Sequence, residues 1–124
     1  MQYLMTINID ESLLAELPAK QYDDLMRGCL SHADELRGEG KLLASQQLEA
    51  PATAKTLRVR NGKTQIVDGP FAETKELLAG FNLIVADNID EAMQIAQQFP
   101  WARYGSVEVR PVHDMDVERR RVGA

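Results

Sequence analysis

The sequence predicts an α+β fold in which two helices cover one face of an antiparallel sheet. Apolar residues alternate with a period of two at 3–9, 81–86 and 107–110, which is typical of strands. They recur at three- and four-residue steps over 20–37 and 92–99, which is typical of helices. With a hairpin in the middle, the order strand, helix, strand, hairpin, strand, helix, strand predicts a two-layer sandwich.

The composition predicts a single globular domain that does not bind nucleic acid. The chain has 124 residues, 44% of them hydrophobic and 27% charged, which is enough for one core. Its formal net charge of −5 argues against a partner with a phosphate backbone. We interpret the basic run at 119–121 as part of a solvated tail. We therefore predict a domain at 1–115 and a flexible tail at 116–124.

Signals for export, membrane insertion and metal binding are missing from the sequence. The first residues lack the pattern of a signal peptide, and no run approaches the roughly 18 apolar residues of a membrane span. Cys29 is the one cysteine, and it shows no metal-ligand spacing with the two histidines. No glycine-rich phosphate loop occurs either. We expect a cytoplasmic protein with no membrane partner, metal or cofactor.

The first half of the chain contains a strand, a helix and a second strand. Residues 10–19 are predicted to connect the first strand to the helix over 20–37, which Gly38 and Gly40 end. Residues 42–48 are predicted to form the next strand. The apolar stripe of the helix consists of Tyr22, Leu25, Met26, Cys29, Ala33 and Leu36.

A hairpin follows, and it leads into a turn. Two arms at 56–60 and 64–67 flank Asn61-Gly62, a strong hairpin signal because both residues accept positive φ. The second arm runs directly into Asp68-Gly69-Pro70, where the three residue types favour a turn. The sequence therefore predicts a loop at the tip of a strand, where a rigid scaffold can aim side chains.

The second half repeats the strand and helix pattern. After the strand at 81–86, Asn88 followed by Glu91 predicts a helix start. Pro100 ends this helix, and Pro111 ends the last strand. Beyond Met115 no apolar period is visible. The buried stripe of the second helix is predicted to be Ala92, Ile95, Ala96 and Phe99.

The run Asp68-Gly69-Pro70-Phe71-Ala72-Glu73-Thr74-Lys75-Glu76 closely resembles the signature of the DGPF family, within the YCII-related superfamily. Gly80-Phe81, Asp90-Glu91-Ala92 and the ending at 105–112 resemble that family too. The resemblance implies a ferredoxin-like βαββαβ fold, here with an extra hairpin, that dimerises as a two-sheet α/β barrel. DGPF proteins have no assigned activity, and some are associated with extracytoplasmic-function sigma factors.

The residue alternation in the strands suggests what covers the second face of the sheet. The odd positions are nearly all apolar and are predicted to lie under the helices: Tyr3, Met5, Ile7, Phe81, Leu83, Val85, Val107 and Val109. The even positions, which include Asn82 and Arg110, are mixed. Such a face suits a homodimer with a partly wet cavity, bordered by Arg110, Asn82 and the signature loop. An open face with ordinary surface residues is the alternative.

Asp68 and His32 are the candidate catalytic residues. Asp68 can act as a general base if burial favours its protonated form near neutral pH, or it can simply form the turn. His32 lies near the apolar stripe of the first helix, where packing is the common role. The superfamily's His–Asp pair implies a dyad of the two. The family histidine, however, lies about a turn earlier, where this chain has Cys29, which we expect to be an inert buried thiol.

The remaining candidates would bind a ligand. Arg110 and Arg58 can clamp a carboxylate or phosphate, or can form structural salt bridges. Phe71 can pack in the core or offer a flat platform. Glu73, Lys75 and Glu76 can orient a polar ligand, or can form an exposed turn with paired charges.

Two functions follow. In the first, the protein is a homodimeric module that binds a small polar or anionic ligand or a partner such as a sigma factor. In the second, it is an enzyme that uses Asp68, with His32, in acid–base chemistry on an anionic substrate.

Overall fold

The computed structural model describes residues 1–124. Its strands are β1 (Gln2–Ile9), β2 (Leu42–Gln47), β3 (Lys55–Arg60), β4 (Lys63–Asp68), β5 (Leu77–Val85) and β6 (Gly105–Pro111). Its helices are α1 (Glu11–Ala15), α2 (Ala19–Gly38), α3 (Ile89–Gln97) and α4 (Met115–Val122). Two 3₁₀ turns lie at Pro51–Thr53 and Pro100–Tyr104.

Four strands form the main sheet in the order β2-β5-β1-β6, and every neighbouring pair is antiparallel. With α2 after β1 and α3 after β5, this is the predicted ferredoxin-like βαββαβ arrangement, which is confirmed. Strands β3 and β4 form a separate two-stranded sheet. The extra hairpin is therefore an arm inserted between the two paired strands β2 and β5.

The core lies between one face of the main sheet and the helices α2 and α3. Met5 and Ile84 on the central strands are fully buried, and Leu36 of α2 and Ala92 of α3 pack into the same cluster. The whole core consists of Tyr3, Met5, Ile9, Ala33, Leu36, Leu42, Ile84, Ala86, Ala92, Ile95, Ala96, Phe99 and Trp101. The helix periodicity thus predicted the buried stripes, because apolar residues at helical spacing share one side of a helix.

The register of β5 corrects the predicted sidedness of that strand. Met5 lies opposite Asn82 and Tyr3 lies opposite Ile84, so these even-numbered residues of β5 share the helix-covered face. Leu83 instead lies opposite Leu4, on the uncovered face. The prediction was wrong because Asn82 is the one polar residue in an otherwise apolar strand, and its polarity was taken to mean exposure. The sidedness predicted for β1 and β6 is confirmed.

Two segments contain helices that the sequence pattern did not reveal. Asp10 caps the short helix α1 inside the predicted connection. In the predicted flexible tail, Asp114 caps α4 by accepting the backbone N–H of Asp116, and the helix ends at Gly123. The structure thus has a helix in the segment predicted to be a flexible tail, and caps at both ends stabilise this helix although it has no periodic apolar face. No residue of α4 is buried.

The hairpin turn has the predicted conformation. Asn61 and Gly62 have φ angles of 52° and 73°, and Gly69 in the following turn has φ 99°. The arm itself stands in solvent, with every residue of β4 exposed. Its strands carry apolar side chains in exposed positions, including Leu57 at 64% and Ile66 at 66%.

Strand β5 begins at Leu77 rather than at Phe81. The signature loop, residues 69–76, is therefore short and enters the sheet directly. None of the helices has the length and hydropathy that crossing a membrane would require.

Candidate functional site

A cavity of about 480 Å³ lies between α2 and one end of the main sheet. Its floor includes Ile7, Gly80 and Asn82, and its roof includes Tyr22 and Met26 of α2. Of its 22 lining residues, 14 are hydrophobic. The volume and the mainly apolar lining are those of small-molecule sites, which typically measure about 300–1,000 Å³.

The cavity exists because the sheet floor is small or polar at this end. At the filled end, Tyr3 and Ile84 lie opposite each other and are buried in the core under the helices. At the open end the corresponding positions are Gly80, Asn82 and Ser45, which cannot fill the same space. A side chain at position 80 is excluded, since its Cβ would lie 2.8 Å from the backbone oxygen of Gln46. The close approach of β2 and β5 therefore requires glycine at position 80, and no side chain from this position fills the cavity.

Asn82 is the buried polar group of the floor. The residue is 3% exposed, and its side-chain amide nitrogen has one contact, the Met5 thioether sulfur at 3.8 Å. Thioether sulfur is a weak acceptor, so the hydrogen-bonding capacity of this amide is largely unused within the protein. Ser45 lies directly opposite on β2 and also lines the cavity.

Cys29 and Trp101 form another wall of the cavity. The Trp101 indole N–H donates to Cys29 Sγ at 3.4 Å, and the Tyr22 ring lies 6.1 Å from the Trp101 ring, centroid to centroid. Burial raises the pKa of the Cys29 thiol, and the hydrogen bond from Trp101 opposes that rise. The thiol is therefore protonated at neutral pH, which agrees with the predicted inert role.

The charged residues at the cavity are both acidic. Glu11 and Glu49 line it, and no lysine or arginine does. Neither Arg110 nor Arg58 lines this cavity. Their predicted role as an anion clamp concerns a different cavity, on the uncovered sheet face between two subunits, and it stays a prediction. Of the predicted ligand-binding residues, Asn82 alone lines the cavity under α2.

The predicted catalytic pair is not brought together. The Asp68 side chain is 84% exposed and pairs with Lys55 Nζ at 2.8 Å. His32 faces α3, where its ring packs edge-on against Phe99 at 4.9 Å between centroids, and its Nε2 is buried without a hydrogen-bond partner. His32 lines a separate polar cleft of about 310 Å³ that also includes Glu91. The burial that a general base at Asp68 requires is absent.

The first part of the signature loop lies against the arm. Arg58 donates from Nη2 to the backbone oxygen of Phe71 at 3.0 Å, so this arginine holds the loop. Phe71 itself is 80% exposed, so of the two predicted roles it does not have the one of packing in the core. Arg110 lies on the uncovered sheet face, 77% exposed and 3.7 Å from Glu108. These interactions have the geometry of structural contacts.

The second part of the loop is tied to the body at the edge of the cavity. Lys75 Nζ lies 3.6 Å from Asp10 Oδ2, and Glu76 accepts a hydrogen bond from Ser106 Oγ at 2.5 Å. Leu77 and Leu78, which follow at once, line the cavity. The signature loop therefore positions Leu77 and Leu78 in the cavity wall. Glu73 is exposed.

Asp10 caps α1, a structural role that none of the sequence motifs indicated. It accepts hydrogen bonds from Ser12 Oγ at 2.6 Å and Ser12 N at 3.0 Å, and its side chain is 7% exposed. The Ser12 hydroxyl lowers the pKa of Asp10 below its ordinary value, burial opposes this, and the Lys75 charge adds to the lowering. The sequence did contain a signal for this role, because an Asp shortly before the apolar residues Leu13, Leu14 and Leu17 is typical of a helix start.

Comparisons with known proteins identify relatives along the whole domain. A family model described as the YCII-related domain matches residues 1–116. Uncharacterized protein R00369 of Rhizobium meliloti (strain 1021) is 37% identical over 114 residues, which cover 90% of this chain and 92% of that protein. Among solved structures, 5-chloro-2-hydroxyhydroquinone dehydrochlorinase (TftG) from Burkholderia phenoliruptrix AC1100, in complex with 2,5-dihydroxybenzoquinone, superposes with a TM-score of 0.51. The two chains are 15% identical, and the superposition covers 91% of this chain and 94% of the TftG chain, so the likeness shows the fold alone.

Proposed function

The chain belongs to the YCII-related domain family, and on this premise we propose that it is a homodimeric module that binds a small, largely apolar ligand in the cavity under α2. The single observation that carries the proposal is the cavity itself. Clefts of about 480 Å³ with a mainly apolar lining and a few polar groups are typical of sites that bind small molecules.

The lining supports a ring-shaped or similarly compact ligand. Tyr22, Met26 and Trp101 give flat and polarisable surfaces on one side, and Ile7 gives an aliphatic surface on the other. The ligand solved with TftG, 2,5-dihydroxybenzoquinone, is a compact six-membered ring. A ring of that size is well within the volume of the present cavity.

A cavity-filling variant tests the proposal. Ser45→Phe places a ring into the cavity from the floor, while Ser31→Phe places the same ring on the exposed side of α2. In a thermal-shift screen of small aromatic compounds, a compound present at 100 times its Kd raises the stability of the wild type by about 2.7 kcal/mol. The Ser31 variant should keep this response and the Ser45 variant should lose it. Equal responses in both variants would place the binding site elsewhere.

Apolar side chains on two surfaces support the homodimer: half-buried ones on the uncovered sheet face and exposed ones on the arm. The central strands carry Leu4 and Leu83 on the face that no helix covers, and the arm exposes Leu57 and Ile66. A two-stranded hairpin is marginally stable by itself in water, and burial against a second copy removes this apolar area from solvent.

Light scattering after size exclusion tests the dimer. The wild type should elute at twice the chain mass, and Leu83→Lys at the chain mass, because the new charge lies within the contact. Met93→Lys, on the exposed side of α3, is the matched control and should remain dimeric. A wild type with the mass of one chain would exclude the dimer.

Membership of the DGPF group and a sigma-factor partner rest on the resemblance of residues 68–76. Co-purification of a sigma factor with the wild type, and its loss with Phe71→Ser, would support that partner, since Phe71 is the one aromatic residue of the signature and is 80% exposed. We do not extend the proposal to acid–base catalysis by Asp68 and His32, because no observed contact joins these residues.

A further inference from the structure

We infer that Asn82 selects the ligand, and that the ligand is a neutral ring compound with a carboxamide or a comparable pair of neighbouring donor and acceptor groups. This inference rests on the proposed cavity function and deepens it. It begins from a contrast in the cavity, where the lining is mainly apolar, the side chains of Gln46 and Gln47 are exposed, and Asn82 is the one deeply buried amide.

The burial of Asn82 is the first step. At 3% exposure, Asn82 has little contact with water, and within the protein its side-chain nitrogen has a single weak contact, with Met5 Sδ at 3.8 Å. Buried polar groups are almost always hydrogen-bonded, so an amide with this much unused capacity at a cavity wall is a binding group for something that enters the cavity.

The geometry of the group is the second step. A planar carboxamide offers an acceptor oxygen and a donor nitrogen side by side, and it pairs best with a partner that offers the complementary two groups. Ser45, directly across on β2, adds a hydroxyl on the same wall. The rest of a bound molecule would lie against Tyr22, Trp101 and Ile7, which fit an apolar ring.

The charge of the cavity is the third step. Its ionisable lining residues other than Cys29 and Tyr22 are Glu11 and Glu49, and it contains no cation. A carboxylate ligand would therefore be repelled by two acids and would have no positive partner. Among ring compounds of one size, the order of affinity should be carboxamide, then hydrocarbon, then carboxylate.

Three probes of nearly equal size test this order: benzamide, toluene and benzoate. The chain has one tryptophan, Trp101, which lines the cavity and donates its indole N–H to Cys29, another lining residue, so the NMR signal of this N–H reports binding at the site in a titration. For the wild type, we expect benzamide to bind about tenfold more tightly than toluene, since each hydrogen bond to a buried amide adds roughly this factor. Benzoate should bind more weakly than both.

Asn82→Leu is the decisive variant, and Gln97→Leu, on the exposed side of α3 and outside the cavity lining, is its control. The leucine variant should keep its affinity for toluene and lose the preference for benzamide, and the control should behave as the wild type. Equal binding of benzamide and toluene by the wild type, a preference that survives in Asn82→Leu, or tightest binding of benzoate would overturn the inference and leave the cavity function intact. If no probe shifts the Trp101 signal, the cavity function fails and the inference fails with it.

Discussion

Replacing Asn82 by leucine should stabilise the protein, although the residue is almost fully buried. An amide without a strong hydrogen-bond partner costs about 1–3 kcal/mol when it is buried, and leucine removes this cost while adding apolar contacts beside Met5. The cavity beside Asn82 has room for the branched side chain. We expect the free energy of unfolding to rise by about 1–2 kcal/mol, which for a chain of this length is roughly 3–8 °C in Tm.

Urea denaturation followed by circular dichroism measures this change, and the m-value should stay constant. Gln97→Leu, a change of the same type on the exposed side of α3, should alter the free energy of unfolding by less than about 0.5 kcal/mol. A loss of 1 kcal/mol or more in Asn82→Leu would refute the reasoning, since it would mean that the amide is well bonded in the folded protein.

Two further predictions concern the core and the loop anchor. Leu36→Ala should lower the free energy of unfolding by about 2–4 kcal/mol, because Leu36 is 4% exposed in the centre of the core, and urea denaturation checks this loss. Asp10→Asn should be less stable than the wild type at pH 6, since the lowered pKa of Asp10 means that folding favours its charged form. That stabilisation is complete above the ordinary pKa and is lost as the pH falls through the lowered one, so the difference between the two proteins should shrink below about pH 4. A constant difference from pH 6 to pH 3 would contradict the assignment.

Most of the fold followed from local patterns. The stripes of α2 and α3, the turn at Asn61-Gly62 and the cap at Asn88 are each encoded within a few residues, and the structure has them where they were predicted. The sidedness of β5 was not encoded locally. In a strand that is nearly all apolar, polar and apolar residues do not alternate, so the sequence does not show which side chains face the helices. The pairing of β5 with β1 and β2 decides this.

The candidate site was harder to predict because a cavity is defined by what is missing from a core. Gly80 and Ser45 leave space only once β2 and β5 pair and α2 passes above them. The signature drew attention to its charged residues, yet Asp68 and Lys75 form contacts that hold the loop. Cys29 was identified as the residue in the place of the family histidine, and it does line the cavity.

The inserted arm has a consequence for engineering. The end of β2 and the start of β5 are neighbours in the main sheet, and the Leu48 N–H donates to the Ala79 oxygen at 2.7 Å. The chain therefore leaves the main sheet and returns to it at adjacent points. Extra residues placed at Asn61-Gly62 would extend into solvent without shifting any strand of the body. An epitope or a fluorescent domain grafted there should be carried without disturbing the ligand cavity.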